Sequence, residues 1–216
     1  MKIIYYIIFF FWYLLSLLPL SVLYVFSDLL YFPIYYCVRY RRRIVRKNLT
    51  ESFPELSKEK IIRIEKQYYH FFCDYIIETL KLFSISKKQL KRRMTFGGVE
   101  EIVKKMETEE KNFCFVYLGH YCNWEWIASL PYWIPDDILC GQIYHPLYNR
   151  AFNKLFLRLR NQFGGECISM KETLRRIIEL RRAKQKTIIG FISDQTPKWN
   201  SCLLYTSPSP RDMRRS

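Results

Sequence analysis

No charged side chain interrupts the run from Ile3 to Phe26. About 20 consecutive apolar residues suffice to cross the hydrocarbon core of a bilayer, and a lone segment satisfies its backbone there only as a helix. The run therefore predicts a transmembrane helix at the N-terminal end. Ser16, Pro19 and Ser21 interrupt its apolar character, and Pro19 predicts a kink because it removes a backbone donor. Tyr5, Tyr6, Trp12, Tyr13 and Tyr24 supply amphipathic rings suited to the membrane interface. A secretory signal is the competing reading, but the run is long for one and no small-residue cleavage site follows it. A second apolar stretch, Leu29 to Val38, is too short to span alone; it either lies in the interface or extends the first helix.

The segment Arg39 to Lys47 (RYRRRIVRK) comes next. A basic run beside a membrane segment favours the cytoplasmic side and anionic headgroups; the plainer reading is a solvated charge run. Residues 1–38 thus read as a membrane anchor and residues 39–56 as a basic juxtamembrane linker. The whole chain carries 35 Lys and Arg against 20 Asp and Glu, a formal charge of +15. That excess points to an anionic partner: nucleic acid, anionic lipid or an acidic carrier protein. Nucleic acid is the weakest of the three, because an apolar anchor precedes the basic run and no nucleic-acid-binding motif is present. The seven Cys form no CxxC pair and no Cys/His spacing suited to zinc. They read as reduced, mostly buried thiols of a cytosolic domain, with no metal and no cofactor expected.

From Ser57 to Phe83 the apolar residues recur with helical period: Ile61, Ile62, Ile64, Tyr68, Phe71, Phe72, Tyr75, Ile76, Leu80. Ser57 resembles a helix start, although the Glu of a capping box is off by one. Val99 to Met106 is a short helix candidate opened by Gly97-Gly98. The period then changes. Asn112 to Leu118, Ile138 to Tyr144, Cys167 to Met170 and Thr187 to Ile192 read as short buried strands. Between them Glu125 to Leu130, Tyr148 to Phe163 and Glu172 to Arg182 read as helices. Strands alternating with helices predict an α/β domain with a largely parallel central sheet flanked by helices, spanning residues 57–201.

Ligands of open α/β sheets gather at the carboxyl ends of strands. There lies Gly119-His120-Tyr-Cys-Asn-Trp-Glu125-Trp126. Histidine titrates in a range suited to a general base near neutral pH. A turn between the two residues would let Glu125 fold back on the imidazole, fixing its tautomer and stabilising the imidazolium. Taken alone the pair is outweighed by a structural histidine, and no third ligand suggests a metal. Arg160 offers a cation for phosphate or carboxylate, against a plain surface Arg. Asp194-Gln195 closes a strand and is read as a substrate contact or a turn cap.

GHYCNWEW resembles the GH(Y)GNWE signature of the bacterial lipid A secondary acyltransferases, the lauroyl/myristoyl transferase group of the lysophospholipid acyltransferase-like superfamily. Arg43-Ile-Val-Arg-Lys-Asn-Leu49 with Ser52-Phe-Pro54, Tyr144-His-Pro-Leu-Tyr-Asn149, Leu159-Arg160 with Gly164, and Phe191-Ile-Ser-Asp-Gln-Thr-Pro197 are similar to its other blocks, in order. The resemblance implies an inner-membrane, single-pass protein whose catalytic domain faces the cytoplasm. It implies an O-acyltransferase moving a fatty acyl chain from acyl-acyl-carrier protein to a hydroxyl of an anionic lipid A precursor. His120 would be the general base and Glu125 its partner. Asn123 would organise the turn or donate to the oxyanion, and Arg160, Asp194 and Gln195 would contact substrate. The alternatives are acylation of another membrane lipid and a non-catalytic membrane scaffold. Cys122 stands where the family usually has Gly, which permits a tight turn at positive φ; a Cys122 nucleophile with His120 as base is the sharp alternative.

Cys202 to Ser216 (CLLYTSPSPRDMRRS) has no apolar periodicity. Its first part matches a translated sequencing-library transposon adapter, so residues 202–216 are read as an artefactual tail. The family resemblance then implies further strands and helices missing after residue 201.

Overall fold

A computed structural model describes residues 2–194; Gln195 and the segment 202–216 lie outside the described residues. Helix α1 (Lys2–Ser16) ends where Ser16 Oγ turns back to the Tyr13 carbonyl at 2.7 Å. Pro19 is extended, at φ −56° and ψ 146°, and starts α2 (Leu20–Phe32). α2 runs on through a π-helical turn, Pro33–Val38, that closes on Arg39 in the left-handed region. The single kinked helix expected from the apolar run is therefore two helices. The break falls at the proline, and Leu29–Val38 is the extension of the second. Leu20–Val38, at 19 residues, is long and apolar enough to cross a membrane by length and composition.

Within the basic segment a helix forms, α3 (Arg42–Ser52). The reason is a carboxylate on α4 (Lys58–Lys81). Arg42 and Arg46, one turn apart, donate to Glu65 at 3.0 and 2.7 Å, and Tyr35 adds a third donor at 2.9 Å. Glu65 has no exposed surface. Burial disfavours its charge, but these donors, Arg46 foremost, outweigh that and hold its pKa below the usual carboxylate range. α4 starts as the sequence indicates, with Ser57 Oγ accepting from the Lys60 N–H at 3.5 Å. α5 (Lys87–Arg93) opens on a capping box between Ser86 and Gln89, and α6 (Val99–Thr108) follows Gly98 at φ 77°.

Four strands follow, β1 (Phe113–Leu118), β2 (Leu139–Tyr144), β3 (Glu166–Ser169) and β4 (Thr187–Ile192), all parallel in the order β1-β4-β2-β3. α7 (Arg150–Asn161) and α8 (Thr173–Arg182) are the crossovers. Between β1 and β2 the chain winds as 3-10 turns over Trp124–Trp133, where a regular helix is expected from the sequence. Pro131 within it has no N–H to continue an α-helical ladder. Leu90, Leu155, Leu159 and Phe163 form the core on one side, and Tyr5 of α1 is buried among them. Val99, Met106, Ile138, Cys140 and Ile188 form the other, beneath α6.

Strand order places the site. β4 inserts between β1 and β2, and β1 and β4 run in register to their last pair, Leu118↔Ile192. Their following loops leave the sheet side by side.

Candidate active site

The Ser193 N–H donates to the Leu118 carbonyl at 3.0 Å, prolonging the pairing of β1 and β4 by one step. Asp194 then meets the loop after β1. Its Oδ2 accepts the His120 backbone N–H at 2.7 Å, and its Oδ1 lies 2.6 Å from His120 Nδ1. These short bonds hold the Asp194 carboxyl below its ordinary pKa, the backbone N–H contributing most and the imidazole next. In a neutral ring with its hydrogen on Nδ1 and directed at the carboxylate, the lone pair would fall on Nε2. Gly119 makes the approach close: a Cβ there would sit 3.3 Å from Asp194 Oδ2, a few tenths of an ångström tighter than usual.

The imidazole also rests edge-on against Trp124, with ring centroids 4.9 Å apart. Trp124 in turn stacks on Tyr75 of α4 at 4.5 Å. Asn123 Nδ2 donates to Glu78 at 3.0 Å and to the Tyr75 carbonyl at 3.5 Å. Its amide thus ties the turn to α4.

Glu125 points inward on the first 3-10 turn and is 4% exposed. Its two oxygens accept from Arg160 at 2.8 and 2.6 Å, a bidentate pair at the end of α7. Burial would lower the Arg160 pKa, but the Glu125 hydrogen bonds raise it, so the guanidinium stays charged. Beside the pair, burial pushes the Cys167 thiol up to about 11 and raises Tyr75 as well, helped by the Glu125 charge.

The expected residues are thus gathered but paired differently. The sequence assigns Glu125 to the imidazole; here Asp194 occupies that place, and Glu125 holds Arg160. Asp194 and Arg160, both expected at substrate, are engaged within the protein. The cause is topological: β4 lies beside β1, a pairing 74 residues distant in sequence. Glu78, which braces the loop, is absent from the sequence reading, and Tyr75 figures there only in the apolar period of α4. No local signal marks them, since their partner Asn123 is 45 residues from Glu78.

Cys122 sits at φ 49°. The turn does use the left-handed region, where a side chain costs about 1–2 kcal/mol and glycine almost nothing. Cys122→Gly is expected to raise the thermal midpoint by a few degrees, about 1 kcal/mol of stability. A lowered midpoint in a melting experiment would show that the thiol contributes packing that outweighs the strain.

Residues 1–201 match the model of the family described as bacterial lipid A biosynthesis acyltransferase. No curated protein matches the chain.

Proposed function

The chain belongs to the bacterial lipid A biosynthesis acyltransferase family, and from that premise we propose that it moves a fatty acyl chain from acyl-acyl-carrier protein to a hydroxyl of a lipid A precursor. The observation that carries the reading is the His120–Asp194 contact at the carboxyl ends of adjacent parallel strands. His120 Nε2 takes the proton of the acceptor hydroxyl as its oxygen attacks the thioester carbonyl. Asp194 fixes the tautomer and stabilises the imidazolium that results. The tetrahedral oxyanion collapses, the carbon–sulfur bond breaks, and His120 returns the proton to the departing thiolate. The net change is one ester formed and one carrier thiol released.

Glu125 and Arg160 act together in this scheme. Their buried pair fixes the floor beneath the His120 loop, and Arg160 supplies positive potential to an anionic intermediate nearby. Asn123 positions the turn. Gln195 is carried from the family resemblance as a contact to substrate. The strong basic charge of +15 suits both an acidic carrier and a phosphorylated glycolipid. The reaction is placed at the cytoplasmic face of the inner membrane.

Mass spectrometry of lipid A tests this reading. A strain deleted for the gene should carry lipid A lighter by one acyl chain, and the full chain should restore it. An unchanged lipid A profile would exclude the lipid A assignment. In the same strain Asp194→Ala should restore little acylation, because it removes the carboxylate from His120, while protein level stays near wild type. Full restoration by that variant would remove Asp194 from the mechanism.

A further inference from the structure

From Tyr5 onward one face of the N-terminal helices packs against the domain. On α1, Tyr5 is buried in the core with Leu155 and Leu159. Phe9 meets Phe83 with ring centroids 5.7 Å apart and lies under the Arg158 guanidinium at 4.0 Å. Trp12 packs edge-on against Phe152 and Phe156, at 6.0 and 6.2 Å. α2 lies antiparallel on α4. Tyr24 donates to Glu78 at 2.8 Å, Ser27 to Asp74 at 2.6 Å, and Tyr35 in the following turn to Glu65 at 2.9 Å. Partner numbers fall along α4 as they rise along α2, so the contact follows α2 from end to end.

That packing conflicts with a bilayer crossing. If α2 crossed while docked in this way, α4 would enter the hydrocarbon with it, carrying Glu65, Asp74, Glu78 and Lys81. Each charge at mid-bilayer costs about 2.5–3.5 kcal/mol even on the most lenient scale. α1 would likewise have to leave the core that buries Tyr5, and its 15 residues give only about 22 Å of helix against a core of about 30 Å.

The outward faces nevertheless need an apolar partner. Phe10, Phe11 and Leu14 on α1, and Val25, Leu29 and Phe32 on α2, are between 51% and 65% exposed. Soluble surfaces rarely carry so continuous an apolar face. Cations border it at both ends. Arg92 and Arg93 line a cleft of about 570 Å³ with Pro19, Leu20 and Ser21, at the break between the helices. Arg39 and Arg41 follow the other end of α2, and both are exposed. An apolar face rimmed by arginine matches an anionic leaflet, whose acyl region receives the helices while its headgroups meet the cations.

We propose that α1 and α2 lie within one leaflet of an anionic bilayer and do not cross it, so that the domain is seated in the membrane by its own core helices. The choice of a bilayer as partner rests on the membrane-lipid reading of the function. Its consequence is that the segment before α1 and the turn before α4 are on the same side of the membrane, with the break at Pro19 on that side too.

Topology mapping on the full chain tests the proposal. One epitope tag is placed before Met1 and another in the turn at residues 54–56, with Ser21→Cys as a third probe. Both tags should resist protease in sealed spheroplasts and be cut in inverted vesicles. Ser21→Cys should react with an impermeant maleimide only after lysis. Tags on opposite faces, or labelling of Ser21→Cys from outside, would overturn the proposal. A second measurement uses the purified chain with vesicles of phosphatidylglycerol and phosphatidylethanolamine. The chain should float with them, and Phe10→Glu with Leu29→Glu should weaken partition more than tenfold with the far-UV spectrum unchanged. Partition unaffected by that pair would also overturn it. Unaltered lipid A in the deletion strain would strike the function alone and leave this placement standing.

Discussion

His120→Ala is expected to lower acyl transfer by about 10³-fold or more, and Asp194→Asn by about 10²–10⁴-fold, with little change in folding. A general base contributes roughly 10²–10⁴ to such a reaction, and loss of the carboxylate that sets its tautomer is of similar size. Asp194→Asn is the sharper test. It keeps the shape of the contact but presents the imidazole with an amide in place of a charge, so Nδ1 need no longer bear the hydrogen. The double variant should be little worse than His120→Ala, because the two residues act as one unit. Steady-state rates with acyl-acyl-carrier protein decide this, and an Asp194→Asn enzyme within threefold of wild type would contradict it. Cys122→Ala should keep its rate; its loss would move the chemistry to the thiol.

The acid limb follows from the same contact. Asp194 has its folded pKa below its unfolded value. The contribution of this bond is therefore present above the unfolded value and lost as pH falls through the folded one. The stability this contact contributes should therefore persist on acidification further than an ordinary carboxylate would allow, which pH-dependent thermal melts would read.

The second large effect is on stability. Glu125→Ala is expected to cost about 3 kcal/mol, because it leaves the Arg160 guanidinium in the interior without its bidentate partner. The estimate sits at the low end of the usual range for a broken buried pair, since the Arg160 side chain is still 22% exposed. Glu125→Leu combined with Arg160→Met should recover much of that loss, because removing both charges removes the unpaired one. The cycle also separates the roles. If Glu125 acts by holding Arg160, the stable double variant should remain impaired in transfer, since positive potential beside the loop is gone. If the double variant melted like wild type and Glu125→Ala did too, the pair would be peripheral to both fold and function. Thermal melts of the detergent-solubilised chain supply the comparison.

The elements that repeat locally were legible in the sequence. The strand Phe113–Leu118 is a six-residue run of aromatic and β-branched character, and α4 shows its helical period and its Ser57 cap. α5 was not read from the sequence: Ser86 and Gln89 stand at the ordinary spacing of a capping box, but its seven residues are mostly charged and present no apolar period. What sequence did not reveal was pairing at a distance. Nothing in RRRIVRK signals a helix until Glu65 is brought to Arg42 and Arg46. The membrane run behaved the same way: composition indicates an apolar environment, whereas only the contacts of Tyr24, Ser27 and Tyr35 show that a charged helix accompanies it. At the site, spacing suggested that Glu125 could fold back on His120. Which carboxylate meets the imidazole depended on β4 lying beside β1, and strand order is not written in any one segment.

Labelled acyl transfer is the most direct measurement of the central claim. Membranes containing the full chain are given acyl-acyl-carrier protein, labelled in the acyl group, and a lipid A precursor. Label should appear in the lipid as an ester, with one carrier thiol released per chain transferred, and His120→Ala membranes should show almost none. Transfer undiminished in His120→Ala, or thioester consumed with no label in lipid, would contradict the account.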